Sequence, residues 1–179
     1  MNQKAEIKRA GTVSVLIPLI AFVTSVLIPG ILALDYVHVL LAAVWTGTDV
    51  FLGFIFFIVI SGMDQEIRYR IAVRLLPMTM FFIPAVSLIV PVAGYALAVR
   101  EGIFKLDPFF ISILTISGIL IILSFALIFR NSLFIYRNSE ASNAGDISRR
   151  LGIISLAASV QLVLQIAIIS LMAYIVVIM

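Results

Sequence analysis

The sequence predicts an all-α integral membrane protein with five transmembrane helices. Three observations predict it. Of the 179 residues, 63% are hydrophobic and only 12% are charged, about half the charge of an average soluble domain. The apolar residues form long unbroken runs rather than short segments of alternating polarity, which excludes a β-barrel. The basic residues sit between those runs. A soluble fold has nowhere to bury so much apolar surface, and a disordered chain would lack it.

A bilayer core about 30 Å thick takes roughly 20 apolar helical residues. From Ala10 to Met63 there is no Lys or Arg, and the only acidic residues or His are Asp35, His38 and Asp49. That run is too long for one crossing. Pro29-Gly30 divides it, because Pro lacks a backbone donor and Gly has low helix propensity. Span one is expected at residues 11–28 and span two at 36–61. Span three is expected at 75–99. Span four begins at Pro108, a favoured first-turn residue, and runs to 129. Span five covers 151–179. Spans two to five are expected to form a four-helix bundle, with span one an extra N-terminal helix. The basic start of span one fits a signal peptide, but no A-x-A cleavage site follows it, so an uncleaved helix is expected.

The charges predict the orientation. Lys4, Lys8, Arg9, Arg68, Arg70, Arg74, Arg130, Arg137, Arg149 and Arg150 fall on one side. Only Arg100 and Lys105 fall on the other. Cytoplasmic loops are enriched in Lys and Arg, so the N-terminus is expected in the cytoplasm and the C-terminus outside, in a multi-pass protein of the cell membrane. The net charge of +3 is then a topology signal and does not imply nucleic acid. The longest hydrophilic stretch, Arg137 to Arg150, reads as a flexible cytoplasmic loop. The absence of Cys excludes disulfides, Fe–S clusters and thiolate chemistry. Together with abundant Ile it leans towards an archaeal or thermophilic source.

Ionisable groups at membrane depth are costly and normally face a bundle interior or cavity. His38 and Asp49 are the two candidates, eleven residues apart on span two. At 100° per residue they align to within about 20°. Trp45 lies near the same face. Asp49 lies about 16 Å further along the helix than His38 by helical rise, close to the midplane. It reads either as a protonatable carboxylate in a proton or cation path or as a packing acid bonded to a neighbouring helix. His38 reads either as an axial haem or copper ligand or as an interfacial His bonded to Tyr36, Asp35 or a carbonyl. It is the only His, so a bis-His haem within one chain is excluded. A Met can be the second ligand, and Met172 lies at a similar depth.

Gln161 and Gln165 share a face of span five that reaches the midplane. With Ser87 of span three they are candidate members of a polar network around Asp49. Interhelical hydrogen bonding alone also explains such residues. Pro77, Pro84 and Pro91 repeat at an interval of seven, and each should free a carbonyl one turn earlier and kink span three. Trp usually favours the membrane interface, so Trp45 is expected to pack within the bundle or against a flat ligand such as haem or quinone.

The stretch HVLLAAVWTGTDVFLG, from His38 to Gly53, resembles the opening helix of the CopD-like membrane proteins and their HemJ-type relatives. RRLGIISLAASVQLVLQIAIISLMA, from Arg149 to Ala173, is similar to their last helix. The likeness runs over residues 36–179. It implies a four-helix bundle and a haem b or copper role for His38. Two features depart from the pattern. Thr48 stands where a second Gly is expected after Gly47, and no Lys lies within a span, which argues against protoporphyrinogen oxidation.

Three functions follow as expectations. The first is a non-catalytic subunit of a larger membrane complex of respiratory or redox type, because no nucleotide motif or nucleophile constellation is visible and little chain lies outside the spans. The second is a haem- or copper-binding protein of electron transfer or metal handling. The third is a small proton- or ion-coupled transporter or channel using Asp49. Expected partners are the lipid bilayer, with other membrane subunits or self-association, and no nucleic acid.

Overall fold

The computed structural model describes residues 3–138 and 144–178. Five helices account for nearly all of them: α1 (Gln3–Leu27), α2 (Leu32–Ser61), α3 (Gln65–Arg100), α4 (Pro108–Asn138) and α5 (Ala144–Ile178). No strand occurs among the described residues. All five are long and apolar enough to cross a bilayer. Their outward faces carry exposed Leu, Ile, Val and Phe throughout, as lipid-facing surfaces do. The chain is a multi-pass helical membrane protein.

Helices α2 to α5 form a ring in that order, with α2 packed on α3 and α5, and α4 packed on α3 and α5. Helix α1 lies outside this bundle, against α2 and α3. The joints explain themselves chemically. Gly30 takes φ +93°, a conformation that side chains other than Gly rarely adopt, so the chain reverses between α1 and α2. The Arg100 guanidinium at the end of α3 donates to the Val26 and Gly30 carbonyls, which are left without helical partners at the end of α1. Asp107 caps α4, its carboxylate accepting from the Phe109 and Phe110 amides at 3.0 and 2.9 Å, with Pro108 in the first turn.

Three helices each contain one π-helical turn: Phe51–Ile55 in α2, Pro77–Phe82 in α3 and Ser124–Phe129 in α4. Each coincides with a local feature. In α2, Ser159 Oγ of α5 donates to the Gly53 carbonyl at 2.6 Å. In α4, the Gln161 amide donates to Ser124 Oγ, at the first residue of the turn, at 2.7 Å. In α3, the turn ends one residue before Ile83-Pro84, where the proline ring would otherwise strike the carbonyl four residues back. The kink expected of the three prolines is thus partly absorbed as a wide turn, a common way for a helix to accommodate an interruption.

The helices depart from the expected spans mainly at the basic end. There α1 begins at Gln3, α3 at Gln65, and α4 continues to Asn138, while α5 starts at Ala144. The stretch from Arg137 to Arg150 is therefore largely helical rather than a loop; residues 139–143 lie outside the described residues. Ile135, Ile147 and Leu151 are fully buried there. Arg150 donates to Asn131 Oδ1 at 2.8 Å and lies 4.3 Å from the centre of the Phe134 ring. Polar composition concealed a thin apolar face. At the other end, α2 starts at Leu32, four residues before Tyr36, because Leu34 is fully buried and anchors that turn.

The core is uneven along the bundle. The basic half is filled by Leu52, Phe56, Ile83, Ile128 and Ile154. The opposite half holds a smaller cluster around Leu41, Trp45, Val86 and Leu120 and opens into a cavity.

Candidate functional site

The cavity has a volume of about 510 Å³ and lies between α2, α3, α4 and α5. It descends from the end where α3 gives way to α4, near Asp35 and Glu101, to a floor at Trp45, Leu120 and Gln165. Its walls are overwhelmingly apolar. No Lys or Arg lines it.

His38 enters from the second turn of α2 and is 8% exposed. Its Nδ1 lies 3.1 Å from the Val90 carbonyl of α3. The imidazole rests on Gly94: a Cβ at position 94 would stand 2.8 Å from His38 Cε1. Glycine is what lets the two helices close over this ring. The alternative partners Tyr36 and Asp35 do not bond it; the carbonyl of a neighbouring helix does.

Trp45, two turns deeper, is 2% exposed and lines the cavity floor. Its Nε1 donor has no hydrogen-bond partner among the described residues. Burying an unpaired donor costs about 1–3 kcal/mol. Asp49, one turn further, is fully buried. Its Oδ2 accepts from Gln165 Nε2 at 2.8 Å, while Oδ1 and Gln165 Oε1 have no partner among the described residues. Gln165 lines the cavity, so the Asp49 carboxyl stands directly behind its floor.

The structure divides the remaining polar residues differently. Gln161 does not join Asp49. It turns to α4, donating to Ser124 Oγ at 2.7 Å and to the Leu120 carbonyl. One helical turn separates the two Gln residues, and Gln161 faces the Leu120 carbonyl and Ser124 hydroxyl of α4. Ser87 is fully buried, but its hydroxyl donates at 2.8 Å to the Pro84 carbonyl of its own helix. Of the proline series, only Pro91 borders the cavity. Met172 lines the same cavity as His38.

Sequence reasoning missed the mouth. Tyr95, Glu101 and Phe104 come from the last turns of α3 and the segment after it, and Phe110 from the start of α4. Tyr95 and Phe104 meet edge to face at 5.1 Å, and Phe104 and Phe110 at 5.5 Å. The aromatic residues around Pro108 were the available signal. Nothing in their spacing said that the segment folds back over the bundle.

The cavity fits the haem implied by the CopD-like resemblance poorly. A haem brings two propionates, and the mouth offers the carboxylates Asp35 and Glu101, with no Lys or Arg lining the cavity. For copper, no group of three or more His, Cys, Asp or Glu suited to a metal ion occurs among the described residues. Fold and cavity together define a small helical membrane protein with an intramembrane cavity. Comparison with protein-family models, curated proteins and solved structures finds no match, so nothing there bears on the resemblance.

Proposed function

We propose that this chain is a small proton- or cation-coupled transporter of the cell membrane, with the α2–α5 cavity as its substrate path. One observation carries this reading. A fully buried carboxyl, Asp49, is bonded to Gln165, and Gln165 lines a large intramembrane cavity. A carboxyl at membrane depth is a place where a proton or cation is taken up and released, and such groups mark ion and proton pathways. Occupancy of the cavity and the state of Asp49 can then sense each other through the single Gln165 amide. The reading is preferred to a subunit role because four helices of the one chain line the cavity.

The orientation belongs to the same reading. The ten-to-two split of basic residues supports a reading in which the filled half of the bundle faces the cytoplasm and the mouth of the cavity faces outside. The test is proton-driven flux in proteoliposomes. Asp49→Asn keeps the size and hydrogen bonding of the side chain but removes its titration. It is expected to lower coupled flux at least about tenfold while the protein remains folded. Flux unchanged in Asp49→Asn would remove the proposal.

A further inference from the structure

The chemistry of the cavity selects its ligand. We infer that it takes a lipophilic organic cation bearing aromatic or alkyl groups, drawn in by the acidic mouth and held against the aromatic lining. This deepens the transport reading and rests on it for the claim that the ligand moves. Binding stands separately.

Charge excludes the opposite class. Asp35 is half-buried and Glu101 exposed, both at the mouth, and no Lys or Arg lines the cavity. Two basic residues lie at this end, Arg100, which donates to carbonyls of the α1–α2 joint, and the exposed Lys105; neither lines the cavity. An anion would pass two carboxylates and find no counter-charge within. A cation is drawn to the mouth by both. The electrostatic part weakens with salt, since the mouth lies at the surface.

The walls favour a greasy cation over a hydrated metal ion. The lining is apolar along most of its depth, and a small inorganic ion would lose its water without replacement. The edge-to-face series Tyr95, Phe104 and Phe110 lines the same cavity as the two carboxylates. Aromatic faces attract organic cations, most strongly when water is excluded. At the floor, Trp45 lines the cavity with an indole, the ring type best suited to this contact. Acidic mouth and aromatic lining lie along one cavity.

Trp45 is the only Trp in the chain, so its emission reports on the cavity alone. The experiment uses the full-length protein in nanodiscs. It is titrated with tetraphenylphosphonium and with tetraphenylborate, two ions of nearly the same shape and opposite charge. Protein-free nanodiscs correct for partitioning into lipid. A saturable change in Trp45 emission is expected with the phosphonium, at least about tenfold tighter than with the borate. In the double variant Asp35→Asn/Glu101→Gln, phosphonium affinity is expected to fall about tenfold and borate affinity to hold or rise. No saturable change with the phosphonium overturns the inference. So does borate binding as tight as phosphonium binding. So does phosphonium affinity unchanged in the double variant. If that variant does not fold, the comparison of the two ions on the unaltered protein decides alone. Phosphonium binding without proton-driven uptake would uphold the ligand class and defeat the transport reading. The two failures are therefore distinguishable.

Discussion

At the residue scale, two glycines hold the site in place, and each makes a prediction. Gly53 abuts α5 so closely that a Cβ would stand 2.5 Å from the Ser159 backbone nitrogen. Backbone cannot give way as a flexible side chain can. Gly53→Ala is therefore expected to push α2 and α5 apart and to cost at least about 2 kcal/mol, read as a lower Tm in detergent. Gly94→Ala meets a ring instead, the His38 imidazole at 2.8 Å. The expected cost is smaller, about 1–2 kcal/mol, with the imidazole displaced from the Val90 carbonyl. NMR of the single His shows this as a changed ring environment. Gly118 has nothing within 4 Å of a Cβ, so Gly118→Ala is the control expected to leave Tm unchanged. Equal effects at all three positions would contradict the packing described. His38 and Asp49 were legible because ionisable residues in an apolar run are rare. The glycines that place them were not, because a close approach between helices leaves no local trace in sequence.

At the element scale, side chains of α5 reach α2 and α4 at or just before their π turns. Gln161 is the clearest case, since its one amide nitrogen serves both Leu120 and Ser124 of α4. Gln161→Leu removes both bonds while keeping the bulk. Interhelical hydrogen bonds in membranes are worth about 0.6–2 kcal/mol. The variant should lose about 1 kcal/mol, with faster hydrogen exchange over Ser124–Phe129. If exchange there does not change, the Gln161 side chain does not sustain that turn. The helix count and the N-terminus of α4 at Pro108 followed from hydropathy and from Pro chemistry. The helical ends at the basic side did not. Their buried faces consist of single residues such as Ile135 and Ile147 spaced among charges, a weak signal whose meaning depends on which helix lies opposite.

At the scale of the whole molecule, the orientation is open to direct measurement. The chain has no Cys, so each introduced thiol reports alone. Lys105→Cys lies at the mouth end and is expected to react with a membrane-impermeant maleimide on intact cells. Arg74→Cys, at the exposed basic end of the bundle, is expected to react only after the membrane is opened. The reverse pattern would invert the topology and place the cavity mouth in the cytoplasm. The bundle also has a mechanical asymmetry. Its basic half is filled by large apolar side chains, while the opposite half surrounds open volume. Conformational change costs less where fewer contacts must be broken, so movement during ligand entry is expected in the mouth half.

The sequence by itself determined the environment, the number of crossings and the two titratable residues within them. These are properties of composition and of one helix at a time: apolar length sets a span, Pro and Gly divide spans, and a single helix's period aligns His38, Trp45 and Asp49. Tertiary structure alone decided which Gln serves Asp49, that Gly94 shelters His38, and that Asp35, Glu101 and three aromatic rings meet at one mouth. The physical reason is that outward-facing surfaces of all these helices are equally apolar. Lipid rewards no particular pairing between them, so partner choice rests on close packing and a few hydrogen bonds that only the assembled bundle brings together.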